Sequence, residues 1–132
     1  MTATARLGWG DPQGVDLTFI ASEAMATPFI AVKLVVTSGA EGTIAIAGDG
    51  ESAIGILQNT AAAIGDAVQV RVSGTSKVSA NGAFAIGDLL NSAASDGQLD
   101  TKGSTEHAIA IALEEATAAN DLCLALIRQV YV

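Results

Sequence analysis

The chain carries one histidine, His107, and one cysteine, Cys123, the residue types that form a thiolate–imidazole pair. In such a pair the imidazole removes the thiol proton, and the thiolate attacks the substrate. His107 lies at the edge of a polar turn, whereas Cys123 lies in the apolar run DLCLAL, which predicts a buried thiol that packs as a small hydrophobic residue. A lone cysteine also excludes an intrachain disulfide and a cysteine-based zinc site. The sequence therefore predicts no nucleophilic site.

Carboxylates are the remaining candidates for a metal site or for acid–base catalysis. No calcium loop of the form Asp-x-Asp-x-Asp-Gly is present, and turn formation is the simpler interpretation of four carboxylates in polar segments, Asp49, Glu51, Asp96 and Asp100. Glu114 and Glu115 are adjacent, so in a strand their side chains point to opposite faces and cannot act on one bond. We expect no metal site, no cofactor and no catalytic residue.

The segment GDGESA, residues 48–53, fits the glycine pattern G-x-G-x-x-A of dinucleotide-binding loops and follows a strand-like run. A helix comes next in a dinucleotide-binding unit, whereas residues 54–57, IGIL, interrupt the helical period with a glycine and resume a strand. No G-x-x-x-x-G-K-[ST] loop is present to hold nucleotide phosphates. These features predict a turn at residues 48–53 and a protein that is not an enzyme.

The chain has 132 residues, which is the size of one domain, so any site must be positioned by the strands and turns of that single domain. Hydrophobic residues make up 50% of the chain and aromatic residues only 4%, so Ala, Val, Ile and Leu must fill the core. Only 15% of the residues are charged, and we expect other subunits or a partner to cover part of the apolar surface.

The formal net charge of −8 argues against nucleic-acid binding, because affinity for phosphates depends on clustered cations. It also disfavours anionic membranes, and no apolar run approaches the roughly 20 residues that span a bilayer. The first residues, MTATARLGWGDPQG, contain no apolar segment of the kind found in signal peptides. We therefore expect a protein made in a cytosol-like compartment, with neither nucleic acid nor membrane as a partner.

The residue pattern of the sequence changes after residue 28, where short apolar runs separated by turn residues begin. Residues 1–28 are predicted to be an N-terminal arm and lead-in, because glycines and a proline surround Trp9 and only residues 22–26 suit a helical turn. Residues 29–132 are predicted to form the body, with strands at residues 29–36, 43–47, 53–57, 67–73, 77–80, 108–113 and 122–132. Many short antiparallel strands with frequent turns indicate an all-β fold, a small β-barrel or a jelly-roll-like sandwich, with an extended N-terminal arm.

Three predicted turns share one pattern. Gly65-Asp66, Gly87-Asp88 and Asn120-Asp121 each place a residue that tolerates positive φ before an aspartate, and a strand-like run follows. We expect each aspartate to bond nearby backbone N–H groups, which is turn chemistry rather than ligand binding. A further turn at residues 95–98 predicts a hairpin.

The body contains a series of segments in a distinctive order. They are FIAVKL at 29–34, AIGILQN at 53–59, GDAVQVRVSG at 65–74, SKV at 76–78, AIGDLL at 85–90, DG at 96–97 and IAIALE at 109–114, followed by the final strand. This series resembles the capsid cement or decoration proteins of tailed bacteriophages. The resemblance covers about residues 29–132 and rests on order and spacing, since each motif alone is unspecific.

The resemblance implies an all-β structural protein, without catalytic residues or cofactor, that binds the outside of an assembled phage head and reinforces it against internal DNA pressure. We expect a homotrimer, with a dimer as the alternative, bound to the major capsid protein on the outer capsid surface of the virion. Arg6 and Trp9 are the expected capsid-binding residues, since both residue types are enriched at binding hot spots. The alternative for Trp9 is that it folds back onto its own body. A competing hypothesis is a non-enzymatic surface β-domain that binds a glycan or small ligand.

Overall fold

The computed structural model of the chain describes residues 12–130, and the regular secondary structure of these residues consists of nine strands. The strands are β1 Gly14–Ala21, β2 Ala31–Leu34, β3 Thr43–Ile46, β4 Gly55–Leu57, β5 Ala67–Ser79, β6 Leu89–Ser92, β7 Leu99–Thr101, β8 Ala108–Ala112 and β9 Leu122–Val130. The all-β fold expected from the sequence is confirmed. Within the same residues, no helix has the length and apolar character that crossing a bilayer requires.

All nine strands join one sheet in the order β1-β3-β2-β4-β5-β9-β8-β6-β7. Every pairing between strands is antiparallel except that of β1 with β3. β1 also pairs with β5, so the strands β1, β3, β2, β4 and β5 close on themselves, and we call this closed set the first ring. The far end of β5 pairs with β9, and a bridge between Ala80 and Leu99 links it to β7. The finer assignment to a barrel or a jelly-roll-like sandwich stays a prediction.

Two clusters of buried side chains form the core, and β2 and β4 contribute to both. Val32 and Leu57 point into the first ring, whereas their neighbours Ala31 and Ile56 belong to the second cluster. All four side chains are fully buried. Because successive side chains of a strand point to opposite faces, a strand with a core on each face must be apolar at consecutive positions. Fully burying a Val, Leu or Ile stabilises the fold by roughly 1.5–3 kcal/mol.

The three predicted turns have the expected geometry. Gly65, Gly87 and Asn120 have φ values of 95°, 89° and 72°. The aspartate that follows each of them folds back, and its Oδ2 accepts backbone N–H groups three or four residues earlier over 2.9–3.2 Å, in Asp66, Asp88 and Asp121. The prediction of a shared turn chemistry is confirmed, and a strand begins directly after each turn.

Several strand boundaries differ from the prediction for local reasons. Residues 77–80 were expected as a separate strand but continue β5, because the backbone passes through Gly74, with a φ of 93°, without turning. The strand predicted at residues 29–36 begins only at Ala31, since Phe29 has a φ of 66°. The helical turn suggested for residues 22–26 is wrong. Met25 instead makes an isolated bridge with Ala61, and its side chain is fully buried.

β1 lies within the segment that was predicted as arm and lead-in. Residues 1–11 lie outside the described part of the chain, but Gly14–Ala21 pair with the first half of β5. A Cβ on Gly14 would overlap the carbonyl oxygen of Ser73, and a Cβ on Gly74 would overlap that of Gln13. Glycine at this point therefore permits a close approach of two strands, which the sequence pattern did not distinguish from an irregular segment. The division of the chain into an arm and a body stays a prediction.

Candidate functional site

The fold does not bring His107 and Cys123 together. Ala108, next to His107, pairs with Val130 at the end of β9, whereas Cys123 lies at the start of the same strand. At roughly 3.3 Å per residue, the strand separates the two positions by about 20 Å. The Cys123 thiol donates a hydrogen bond to the Glu115 carbonyl oxygen over 3.2 Å, and burial raises its pKa to about 11. The thiol is therefore protonated at neutral pH and is not activated as a nucleophile.

Of the four carboxylates predicted as turn formers, Glu51 and Asp96 bond backbone N–H groups in turns, whereas the prediction is wrong for Asp100, which lies in β7. Glu51 Oε1 accepts the Gly48 N–H over 2.6 Å and the Lys33 ammonium over 2.7 Å, and the bond from Lys33 is the larger cause of the lowered pKa of Glu51. The Glu51 N–H in turn donates to the Gly48 carbonyl oxygen, which places a turn at residues 48–51, within the predicted range of 48–53. Asp96 Oδ1 accepts the Gln98 N–H over 3.1 Å.

The pair Glu114-Glu115 also has a structural explanation. Glu114 Oε1 accepts the Leu124 N–H over 2.7 Å, whereas Glu115 is exposed and offers its backbone carbonyl to Cys123. In the part of the chain that the structure describes, no group of three His, Cys, Asp or Glu residues could hold a metal ion.

Within residues 12–130, apolar side chains are exposed at one end of the first ring. Because β1 is parallel to β3 and β3 is antiparallel to β2, β1 starts at the end of the ring where β2 finishes. Val15 and Leu17 share the face of β1 that carries Phe19 towards the core, yet they are 54% and 47% exposed. Leu34, on the core-facing side of β2, and Val36 just beyond it are 44% and 93% exposed. We call the side chains of Val15, Leu17, Leu34 and Val36 the apolar mouth.

Among the described strands, none pairs with the edge of β1 that lies next to the apolar mouth. Its pairing with β3 involves only Ile20 and Ala21, and the Ile20 N–H, which points away from β5, donates over 2.8 Å to a carbonyl in the loop before β3. Since backbone N–H groups alternate in direction along a strand, those of Asp16 and Thr18 point the same way. No strand among residues 12–130 lies there to accept them. We call residues 14–19 the open edge.

The outer face of β1 is polar and locally neutral. Asp16 bonds the Arg71 guanidinium on β5 through both carboxylate oxygens, and Arg71 Nη2 lies 3.2 Å from Asp16 Oδ2. Gln69 Nε2 donates to the Thr18 hydroxyl over 2.8 Å. These contacts fix the side of β1 that faces away from the core, so the two faces of the open edge differ sharply in polarity.

Comparison with known families identifies the fold. A sequence model of the phage cement proteins matches residues 20–129. The chain belongs to the phage cement protein family. This membership supports a structural role in the phage head and association with the capsid. The chain is also similar to the crystal structure of the head fiber gp8.5 N base in bacteriophage phi29, with 19% identity and a TM-score of 0.56 over 89% of this chain and 97% of that one. No curated protein matches the sequence.

The match to the phage cement proteins begins at residue 20, after the open edge. The predicted capsid-binding residues, Arg6 and Trp9, lie outside the residues that the structure describes, and their role stays a prediction. Sequence reasoning missed the apolar mouth. The period-two pattern of GVDLTFIA was present as a signal, but the glycines before it led to an interpretation as an arm.

A second feature of this cement protein is a cleft of about 340 Å³ beside Phe29. Phe29 and Asn120 both line it, and both have positive φ without being glycine. The Gln98 amide donates to the Asn120 side-chain oxygen over 2.6 Å and to the Ser79 hydroxyl over 3.0 Å. The polar wall of the cleft is therefore built from side chains that hold one another in place.

Proposed function

We propose that this chain is a capsid cement protein that binds the outer surface of a phage head and stabilises the capsid lattice without catalysing a reaction. The observation that carries the proposal is the phage cement family match over nearly the whole described, all-β part of the chain. Glu51, Asp96, Glu114 and the buried Cys123 thiol all bond the surrounding backbone, which is consistent with a structural protein.

Charge supports an external position. The formal net charge of −8 would be repelled by packaged DNA inside the head, whereas on the exterior it favours solubility. Cementing also needs only modest affinity for each copy, because the lattice repeats the contact by symmetry. Homotrimers, or alternatively dimers, on the major capsid protein would suit such a repeated contact.

Arg6 and Trp9 are the proposed capsid contacts. An extended N-terminal segment can add main-chain hydrogen bonds at a sheet edge of the capsid protein, and it pays its ordering entropy only on binding. A buried Trp and an Arg are the residue types that most often dominate interface energetics. The two side chains would therefore anchor each copy, while symmetry multiplies the number of anchors.

The test is reconstitution on heads that lack this protein. We expect the purified protein to bind such heads and to raise the temperature at which they rupture, and we expect light scattering to report a trimer. Arg6→Ala combined with Trp9→Ala should abolish binding but preserve the fold, whereas Arg128→Ala, which removes an exposed arginine from β9, should bind normally. Failure of the unaltered protein to bind or stabilise heads would refute the proposal.

The cleft beside Phe29 favours a second candidate, a surface β-domain that binds a glycan or small ligand. Its aromatic and amide side chains are types that carbohydrate sites use, and positive-φ residues cluster at functional sites. Titration with a panel of soluble saccharides would decide between the candidates. Saturable shifts of the Gln98 and Asn120 side-chain amide signals would support ligand binding, and no shift at millimolar saccharide would remove this candidate.

A further inference from the structure

We propose that copies of this chain assemble by repeating a contact that each chain already makes within itself, so that the second half of one copy packs against the first half of the next. The contact deepens the proposed function by naming the partner of the homo-oligomer, a second copy, and it rests on that proposal only for the number of copies. It needs no capsid to form.

The two halves of the chain have the same topology. The first ring contains strands in the order β3-β2-β4-β5, and the order β7-β6-β8-β9 repeats this arrangement later in the chain. β1 pairs antiparallel with β5 and parallel with β3, and residues 74–80 likewise pair antiparallel with β9 and parallel with β7. We call residues 74–80 together with β6, β7, β8 and β9 the second ring. The chain is therefore a structural duplication in which the two rings share β5.

Single positions of the two rings also correspond. The Phe29 N–H donates to the Leu57 carbonyl oxygen over 2.7 Å. The Gly87 N–H likewise donates to the Ala112 carbonyl oxygen over 2.8 Å. Phe29 and Gly87 have φ values of 66° and 89°, so Phe29 holds the left-handed conformation that glycine holds in the second ring. The strand registers make further positions equivalent, and these are Ile20 and Ser79, Ala31 and Leu89, and Ile56 and Ile111.

Within the chain, the outer face of the first ring packs against the part of the second ring where β5 ends and β7 begins. The Phe29 carbonyl oxygen accepts the Ser79 N–H over 2.8 Å. The Ala31 N–H donates to the Gly97 carbonyl oxygen over 2.9 Å. Ala31 and Ile56 are fully buried in the core cluster of the second ring. A Cβ on Gly97 would lie 2.9 Å from the Ala31 carbonyl oxygen, so the contact is closely packed. We call this contact the junction.

The second ring carries the equivalent outer face, and this face is partly exposed. Leu89 and Ile111 take the places of the two residues that are fully buried at the junction, yet both are only partly buried. Ile86, just before β6, is 68% exposed. We call the side chains of Ile86, Leu89 and Ile111 the outer patch. A cluster of exposed apolar side chains is typical of an interaction surface.

The first ring carries the equivalent of the other side of the junction. Ile20 takes the place of Ser79, and the two residues are 41% and 3% exposed. Gly42 takes the place of Gly97 before the second strand of the hairpin, with φ values of 74° and 81°. Among residues 12–130, no atom outside its chain neighbours lies within 4 Å of the position that a Cβ on Gly42 would occupy. We call Ile20 and Gly42 the end patch.

A second copy is the partner that fits both patches, because the junction shows how an outer face and an end of this fold pack together. The Ile20 N–H donates to the Gly42 carbonyl oxygen over 2.8 Å, whereas the equivalent groups of Ser79 and Gly97 bond across the junction. The contact between copies therefore gains apolar burial, and it gains main-chain bonds only by exchange. Because the outer patch differs from the end patch, the contact is heterologous, and three such contacts would close the proposed homotrimer.

Charge substitutions in the full chain test the contact by light scattering coupled to size exclusion. Ile86→Asp in the outer patch and Ile20→Lys in the end patch should each raise the concentration needed for assembly at least about tenfold, because each places an unpaired charge in an apolar contact. Pro28 and Ser79, which hold the equivalent positions at the junction, line one cleft. Ile86→Asp combined with Ile20→Lys should therefore recover assembly, since the two charges face each other across every contact. Ile86→Asp combined with Ile20→Asp should not.

The matched control is Ile64→Asp, which places a charge at an isoleucine of the first ring that is 76% exposed. Ile64 is equivalent to Ala119, which stays exposed in the second ring although the junction has formed there. Ile64→Asp should therefore change the concentration needed for assembly by no more than about twofold. Urea unfolding of each variant should show that it remains folded, because the substituted side chains are exposed.

A monomeric unaltered protein would overturn the proposal. Assembly that neither single variant weakens would do so too, as would equal weakening by Ile64→Asp and Ile20→Lys, or a failure of the oppositely charged pair to recover assembly. Reconstitution on phage heads separates this contact from the cement function. A monomer that binds heads would leave the cement function standing, whereas an oligomer with the expected variant behaviour that ignores heads would remove the cement function and keep the contact.

Discussion

The Asp16 carboxylate on β1 accepts hydrogen bonds from both Nε and Nη2 of Arg71 on β5. Arg71 Nη1 also donates to the Thr75 carbonyl oxygen over 2.9 Å, so one guanidinium spans the register shift in the β1–β5 pairing. The side chains of Arg71 and Asp16 are 13% and 29% exposed, so water screens this pair only partly. The pair holds β1 in register beside the apolar mouth.

Replacing Arg71 by Met should therefore destabilise the protein more than breaking an exposed pair. Met keeps the apolar stem but removes three hydrogen bonds, and we expect a loss of about 1–2 kcal/mol in the free energy of unfolding. The matched control is Lys33→Met, which breaks the more exposed pair with Glu51 and should cost less than about 1 kcal/mol. Urea unfolding measures both. Equal losses of unfolding free energy for the two variants would contradict the prediction that the Arg71–Asp16 pair stabilises the fold more than an exposed pair does.

Cys123 should resist thiol reagents in the folded protein. Its thiol is buried and burial raises its pKa to about 11, so we expect modification at pH 8 only as fast as the chain unfolds. Addition of urea above the unfolding midpoint should make the reaction rapid. Rapid modification without denaturant would show that the start of β9 opens locally.

The same thiol predicts a stability change at alkaline pH. The pKa is 9.0 in the unfolded chain and about 11 in the folded one, so the folded state holds the proton more tightly. The stabilising contribution is complete below pH 9 and is lost as the pH rises from about 9 towards about 11. Cys123→Ala should remove this part of the pH dependence. The measurement is the difference in unfolding free energy between the two proteins from pH 8 to pH 11.

The fold class was predictable because the core is made of β-branched and aliphatic residues in short runs between turn residues. The alternation of Val68, Gln69, Val70 and Arg71 placed the first half of β5 correctly, since a strand with one polar face leaves a period-two pattern. β2 and β4 were also found, although their two buried faces hide any alternation. The turns were predictable because Gly or Asn before Asp serves a single backbone conformation.

β1 and the apolar mouth were not predicted, because both depend on which strands become neighbours. The sequence shows that Val15 and Leu17 alternate with Asp16 and Thr18. It does not show that β3 begins only at Thr43, opposite Ile20, so that no β3 residue pairs with this part of β1. Glycine at position 14 also has two meanings in a sequence, a break in structure or a close approach of strands. Only the structure shows that Gly14 permits a close approach of strands, because a Cβ at this position would overlap the carbonyl oxygen of Ser73.

Asp121 should stabilise the protein only above its unfolded pKa. Bonds from the Thr117 backbone N–H and then from its hydroxyl lower the pKa of Asp121 from 3.8 to about 2. The contribution is complete above pH 4 and is lost as the pH falls from about 4 towards about 2. Asp121→Asn should flatten this part of the acid unfolding curve, whereas Asp49→Asn, at an exposed position, should leave it unchanged. Thr117→Val, which removes only the bond from the hydroxyl, should give an intermediate curve.

Gly65 should tolerate asparagine but not alanine. Its φ is 95°, and no atom lies within 4 Å of the position that a Cβ would occupy, so a substitution there meets backbone strain and no steric clash. Gly65→Ala should lower the free energy of unfolding by about 1–2 kcal/mol, because an L-residue pays for a left-handed conformation. Gly65→Asn should cost less, since Asn120 already holds the equivalent position of the third turn with a φ of 72°. Equal losses for the two variants in thermal unfolding would show that Asn120 is tolerated only because its side chain bonds Gln98, and not because of the conformation that the three turns share.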